Sequence, residues 1–515
     1  MCITFGDKIR YKKTMKKYLL SLLGLSLFFI SCSKTDDSLD TQEIEEVVSS
    51  QEPEIDVTVQ NFMWQSMNTY YFWQSDVPDL LDSRFSTETE YRTFLESEED
   101  PSKFFDEKLL FSEDRFSFYS EDYKELTQSF AGISKSNGVE FGLGLFSGSN
   151  DVYGYVRYIV PNSDASSKDI KRGDIFTGVN GTTLNLDNYI DLLFGDSDTY
   201  TLNMAEIANN TVSDTDREVT LTKEANLIEN PIHLTTVLEV SGKKIGYIMY
   251  NGFTNEFDEE LNEAFGEFKS AGVTDLVLDL RYNPGGSVNS ALLLSSMIYG
   301  THTDQVFLKA RYNEKLQSEF NDAELISYFA DKTDNNTPLN TLGLNKVYIL
   351  ATSSSASASE LVINGLDPYL DVVHIGETTT GKNEFSVTFV DDFDNGNVYS
   401  PNREDKINPD NQWAIQPLIG RNENANGFSD YTSGLVPDIL LEEDLSNLGV
   451  LGNSNEPLLA KAIAEITGTT AKMDFNVDLP VKLMSSSKMF TKTKDNMFMD
   501  IKNPLPLKIK TVAQP

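Results

Sequence analysis

From about Pro231 to Glu442 the chain repeats one pattern: a short apolar run, a turn, an amphipathic stretch, then another apolar run. Ile245 to Tyr250, Leu276 to Leu280, Val347 to Leu350 and Val372 to Ile375 have strand length and strand composition. Between them, Glu256 to Ala271 sets Phe257, Leu261, Phe265 and Phe268 at helical spacing. Gly286 to Tyr299 does the same with Ala291, Leu292, Leu294, Met297 and Ile298, and Ala358 to Leu366 reads as a third helix. Strands that alternate with helices build an α/β layer with parallel strands.

Ahead of this layer the period changes twice. Residues 56–132 carry Phe62, Trp64, Tyr70, Tyr71, Phe72 and Trp73, and Val57, Val59, Phe62, Met63 and Met67 fit a helical stripe. A small helical domain is expected there, closed by an extended segment at Asp114 to Tyr119. From about Gly138 alternation takes over: Val139, Phe141, Leu143 and Leu145, then Val152 to Val160. Asn180-Gly181 signals a tight hairpin, and Leu186 to Phe194 returns to helical spacing. Residues 133–226 therefore read as a β-rich module and 227–470 as the α/β core. In residues 471–515 lysines alternate with apolar positions, which reads as strands packing back on the body, with no assignable role.

The charge balance is 42 Lys+Arg against 80 Asp+Glu, a net −38. Such a surface repels phosphate backbones, and no nucleic-acid partner is expected. Three histidines (His233, His302, His374) and two cysteines (Cys2, Cys32) leave no zinc motif and no disulfide framework, so no metal or other cofactor is expected.

The beginning of the chain reads as an address. Met15-Lys16-Lys17 precedes an apolar stretch of thirteen residues, Tyr18 to Ile30, too short to span a bilayer and suited to a signal peptide. Phe29-Ile30-Ser31-Cys32 then turns polar, which resembles a bacterial lipoprotein signal: residues 1–31 would be removed, Cys32 lipidated, and 32–55 left as a flexible acidic tether. That resemblance implies a membrane partner through the lipid anchor. It also implies the cell envelope of a Gram-negative bacterium, as an outer-membrane lipoprotein facing periplasm or surface.

Two strand-to-helix junctions carry the chemistry. Asn283-Pro284-Gly285-Gly286 follows the run ending at Leu280, and Ser353-Ser354-Ser355-Ala356-Ser357-Ala358-Ser359-Glu360 follows the run ending at Leu350. Ligands of α/β sheets bind at the carboxyl ends of strands. A serine there meets the N–H groups and positive dipole end of a helix, which stabilise an oxyanion. A serine needs a base. No histidine adjoins either junction, although His374 stays open on spacing. Lys382, in Thr378-Thr379-Thr380-Gly381-Lys382, follows the next strand and serves as a base if burial lowers its pKa.

Phe141-Gly142-Leu143-Gly144-Leu145 resembles the carboxylate-binding loop of PDZ domains. Val160 to Ala165, Lys171-Arg172-Gly173-Asp174-Ile175 and Val179-Asn180-Gly181 are similar to the second half of one. Leu278-Asp279-Leu280-Arg281-Tyr282-Asn283-Pro284-Gly285-Gly286 resembles the signature of the carboxy-terminal processing (tail-specific) serine peptidases, the S41 family. Ser355 to Glu360 is similar to that family's nucleophile segment, and Gly376 to Lys382 to its lysine segment. Gly246-Tyr247-Ile248, Phe253 and Gly434-Leu435-Val436-Pro437-Asp438 extend the likeness, which covers about residues 137–442.

The resemblance implies an α/β peptidase core (ClpP/crotonase-like), a PDZ-like β-rich module and an N-terminal helical domain. It implies a lipid-anchored serine endopeptidase acting on protein or peptide substrates. Ser357 would be the nucleophile and Lys382, 25 positions on, its base. The N–H groups of Ala358 and of Gly285 or Gly286 would form the oxyanion hole, with Glu360 orienting the pair. Residues 141–145 would hold a peptide end. Two positions depart from the family: Pro368 stands where members often carry aspartate, and Ser386 where many carry a supporting glutamine. An inactive peptide-binding lipoprotein on the same scaffold is the alternative. A carbohydrate-binding surface protein using Tyr70, Tyr71 and Trp73 is a third class.

Overall fold

The computed structural model describes residues 55–208, 211–469, 481–492, 494–499, 501, 505–507 and 509. The signal peptide, Cys32 and the tether fall outside the described residues.

The helix Thr58–Tyr70 buries Phe62, Met63, Trp64, Met67 and Tyr70. Thr87 caps the helix Glu88–Leu95, and Asp122 caps Tyr123–Phe130, each by accepting a first-turn N–H. Tyr70 stacks on Phe389 at 4.8 Å, so the aromatic stripe is core against the rest of the body. Tyr70 and Tyr71 are fully buried, which removes them from any sugar-binding surface. Phe118–Ser120 pairs with Ala414–Gln416 and carries the preceding Arg115 and Phe116 towards the lysine loop.

The β-rich module is a sheet in the order Val481–Ser486, Val139–Phe146, Val152–Ile159, Ile175–Val179, Thr199–Ala208, Thr211–Thr222. Asn180 and Gly181, both at positive φ, join Ile175–Val179 to Thr182–Thr183 in the two-residue turn that matches strand twist. Phe141 to Leu145 is not a loop: all five residues lie inside Val139–Phe146. Their glycines serve packing. Gly142 and Gly144 oppose Tyr155 and Tyr153, and a Cβ at either would come within 2.3 Å of the opposing tyrosine.

The core sheet runs Ile232–Val240, Lys243–Tyr250, Asp275–Asp279, Lys346–Ala351, Asp371–Gly376, Ile439–Leu440. The first pair is antiparallel across Ser241-Gly242, and every later pair is parallel. The intervening helices are Asp258–Ala271, ended by Gly272 in the left-handed region, Val288–Tyr299, capped by Ser287, and Ala358–Leu366. Gly286 and Ser287, expected as the first helical residues, are a two-residue strand instead. A second sheet lies in the order Gly286–Ser287, Met497–Phe498, Glu384–Ser386, Leu418–Glu423, Val306–Tyr312, Ile326–Tyr328. Among the described residues no helix is long and apolar enough to cross a membrane.

Candidate active site

Asp275–Asp279, Lys346–Ala351 and Asp371–Gly376 are consecutive parallel neighbours. Their carboxyl ends, and the three loops the motifs occupy, therefore emerge side by side. Hydrogen bonds stitch the first two loops together. Ser355 Oγ donates to Leu280 O at 2.7 Å, Ser359 Oγ to Asn283 O at 3.0 Å, and Ala356 N to Asn283 O at 3.2 Å. Ser353 Oγ donates to Glu377 Oε2 at 2.7 Å.

Ser357 is the exception. Its backbone sits at φ +64°, ψ −111°, a region that costs a residue with a Cβ about 1–3 kcal/mol and persists only where surroundings enforce it. The residue is wholly buried; its side chain faces the Glu360 N–H in a capping box, but its Oγ makes no well-formed hydrogen bond among the described residues. A buried hydroxyl without a partner costs stability, so both features mark Ser357 as held for something other than packing.

Glu360 does the enforcing. It lies one turn along Ala358–Leu366, and its carboxylate accepts Ser357 N–H at 2.7 Å, Gly381 N–H at 2.7 Å and Lys382 N–H at 2.9 Å. Thr379 Oγ1 donates to it as well. One side chain thus ties the serine turn to the lysine loop. Burial raises its pKa, and the four donors oppose that rise.

Lys382 is fully buried. Burial pulls its amine down to about 8, against the carboxylates of Asp495, Glu384 and Asp114. It forms no ion pair among the described residues. Its Nζ lies 4.9 Å from the centre of the Phe116 ring, on a segment anchored by Arg115 Nη2 donating to Gly381 O at 2.6 Å. Nζ does not hydrogen-bond Ser357 Oγ; it donates to Asn496 Oδ1 at 3.2 Å.

Of the two glycines named for the oxyanion hole, Gly285 donates its N–H to Asn283 Oδ1 at 2.9 Å. That commits the Gly285 N–H elsewhere, and Gly286 is the residue whose N–H faces the site, donating to Asn496 O at 2.7 Å. Ala358 is the first residue of its helix, where N–H groups lack partners within the helix. Ser386 Oγ donates to Asn496 Oδ1 at 2.9 Å and receives Gln416 Nε2 at 3.0 Å. A glutamine does reach this neighbourhood, from a different strand.

No histidine hydrogen-bonds Ser357 or Lys382 among the described residues. The His374 ring is buried with Nε2 3.3 Å from Ala351 O. Sequence reasoning missed Asn496, Gln416 and Phe116, which reach the site across long separations and carry no local pattern. Residues 141–145 lie in the β-rich module and do not join this cluster.

A strained, buried serine at a helix head, a buried lysine with a depressed pKa and a glycine-turn N–H meet where the three loops emerge. Comparisons narrow the class. The model of Peptidase family S41 matches residues 244–422, spanning Ser357 and Lys382. That of the Peptidase S41 N-terminal domain matches residues 58–118. Both matches are to models of peptidase family S41, and the larger takes in the glycine turn, the serine segment and the lysine loop. A solved Bacteroides fragilis NCTC 9343 chain named as an S41 protease is 26% identical. Its superposition has a TM-score of 0.61 and covers 79% of this chain and 97% of that one. A Staphylococcus aureus (strain COL) chain named as a CtpA-like serine protease is 26% identical over 49% of this chain and 46% of its own length. The carboxy-terminal processing protease CtpA of Bacillus subtilis (strain 168) is 24% identical over 50% of this chain and 51% of its own. The chain spans about half the length of the curated relatives it matches.

Proposed function

We propose that the protein is a serine endopeptidase that cuts protein substrates with a Ser357–Lys382 dyad. The observation that carries this reading is the pairing, through Glu360, of a strained serine whose hydroxyl is unpartnered with a fully buried lysine. Ser357 Oγ attacks the scissile carbonyl carbon while the neutral amine of Lys382 takes its proton. The oxyanion that forms is met by the N–H of Gly286 and, at the helix head, that of Ala358. Lys382 then passes the proton to the leaving amine. Water, deprotonated by Lys382, hydrolyses the ester and frees Ser357.

Substrates are extended, unstructured tails. The β-rich module is PDZ-like in this reading, and Val139–Phe146 is the strand along which a peptide aligns. The chain is tethered by lipid at Cys32 and works in the cell envelope, as an outer-membrane lipoprotein facing periplasm or surface.

The test is hydrolysis of an unstructured protein by the chain and by Ser357→Ala, with and without a chelator. Ser357-dependent cleavage that ignores the chelator is expected. Equal cleavage by both forms would sink the Ser–Lys mechanism.

A further inference from the structure

Residues 481–492 and 494–499 lie at both places that a substrate would use. Val481–Ser486 pairs antiparallel with Val139–Phe146, Val481 opposite Phe146 and Ser486 opposite Gly142. It fills the sheet edge at which a peptide strand would add. The fit has side-chain detail. Met484 and Met489 pack against the module's core, and Phe490 meets Phe194 edge-on at 5.1 Å. Ser487 Oγ donates to Glu140 Oε2 at 2.6 Å and accepts Phe141 N–H at 3.1 Å.

Farther on, the segment enters the catalytic centre. Met497–Phe498 lies between Gly286–Ser287 and Glu384–Ser386, parallel to both. It therefore bridges the oxyanion turn and the strand that follows the lysine, in the extended form of a bound peptide. The carbonyl of Asn496 takes the Gly286 N–H at 2.7 Å. A methyl group on Gly285 would stand 2.6 Å from that carbonyl oxygen and 2.7 Å from Ser357 Cβ, so both close in on the same glycine. Asn496 Oδ1 also receives Lys382 Nζ at 3.2 Å and Ser386 Oγ at 2.9 Å. The base is turned to the segment's side chain, and Ser357 Oγ is left without a partner. Asp495, just before, sits at φ +52°.

We infer that residues 481–499 act as a built-in pseudosubstrate, a reversible occupant of the peptide edge and the catalytic centre that a substrate tail must displace. The inference rests on the reading of Ser357 and Lys382 as the catalytic pair. The segment occupies the register of a substrate, and the side chain of Asn496 withholds the lysine from the serine, so the block persists uncut.

The test reads access to position 357 separately from turnover. In the full chain carrying Ser357→Cys, alkylation of that thiol by iodoacetamide is followed on its own peptide by mass spectrometry. Adding Asn496→Ala removes two side-chain hydrogen bonds and is expected to speed alkylation about tenfold. Met484→Asp, at the module end, is expected to act in the same direction. A synthetic peptide of residues 481–499 should slow the labelling of both variants again. In chains that keep Ser357, the same two substitutions should raise hydrolysis of an unstructured protein. Equal alkylation with and without the substitutions, and no effect of the peptide, would overturn the inference. So would Ser357-dependent cutting of the chain after Asn496, which would make the segment a substrate. Faster alkylation without any hydrolysis would uphold the block and instead sink the peptidase reading.

Discussion

In the proposed mechanism Ser357, Lys382 and Glu360 carry the chemistry, and each lends itself to a separate measurement. Lys382 has its amine lowered to about 8 by burial, and in the proposed mechanism its neutral form is the base. kcat/KM should therefore rise with pH through a limb near 8 and level off above it, well below the free-lysine value of about 10.4. A flat profile between pH 6 and 10 would remove the lysine from the mechanism. Lys382→Met should cost at least about 10³-fold in kcat. Lys382→Arg should not rescue it, because a guanidinium stays charged at any working pH. Glu360→Gln swaps two acceptor oxygens for one and turns an amide against buried N–H donors. About 2–4 kcal/mol of stability should be lost, read as a lowered midpoint in urea. Ser357 and Lys382 were legible because they follow strand ends in short, ordered motifs. Asn496 was not legible, since it meets Lys382 from 114 residues away, and its neighbours in sequence form no motif. Gln416 and Phe116 were hidden for the same reason: their approach is set by strand pairing, which leaves no local trace.

Among elements, the long periodic ones could be read and the short ones could not. The alternation of strands and helices from Ile245 to Ile375 gave the core sheet because each unit must bury one face against its neighbours. The helix Ala358–Leu366 was found residue for residue. The half of the second sheet that faces the site was invisible in the sequence: Gly286–Ser287, Glu384–Ser386 and Met497–Phe498 are two or three residues long, too short to show a period. Phe141 to Leu145 fitted two readings, an alternating strand and a PDZ-like loop, and the strand is the one that forms. Glycine beneath a cross-strand tyrosine looks, in one dimension, like glycine in a loop. Gly286 has a stricter requirement. It sits at φ +133°, and a Cβ there would come within 2.2 Å of Phe253 O. Gly286→Ala is expected to displace the oxyanion N–H and lower kcat by about 10²-fold. A variant that keeps full kcat would place the oxyanion donor elsewhere.

At the scale of the molecule, a buried charge network joins the β-rich module to the core. Arg172, in the module, donates to Tyr282 OH at 2.7 Å and to Glu443 Oε1 at 2.7 Å. Arg281, fully buried, meets Asp279 at 2.7 Å, Glu456 at 2.6 Å and Glu443 at 3.0 Å. Tyr282 immediately precedes the Asn283-Pro284-Gly285-Gly286 turn, so the module's position and the oxyanion turn share one anchor. Burial alone would raise the Glu443 carboxyl; the Arg172 and Arg281 guanidiniums override it and hold it at about 2. A depressed carboxylate stabilises the fold above its unfolded value near 4.5 and loses that contribution as pH falls towards 2. On this basis the chain should lose about 3 kcal/mol through this group between pH 5 and pH 2. A Glu443→Gln variant should show a shallower loss over the same window. Chemical denaturation at several pH values reads both.

The Ser–Lys mechanism itself requires a covalent ester on one hydroxyl. An unstructured protein mixed with the chain, quenched in acid during turnover and digested, should yield the peptide bearing Ser357 with an acyl adduct. Ser357→Ala should give neither adduct nor product. Product formation with no adduct on that peptide, at the same rate in Ser357→Ala, would contradict the mechanism.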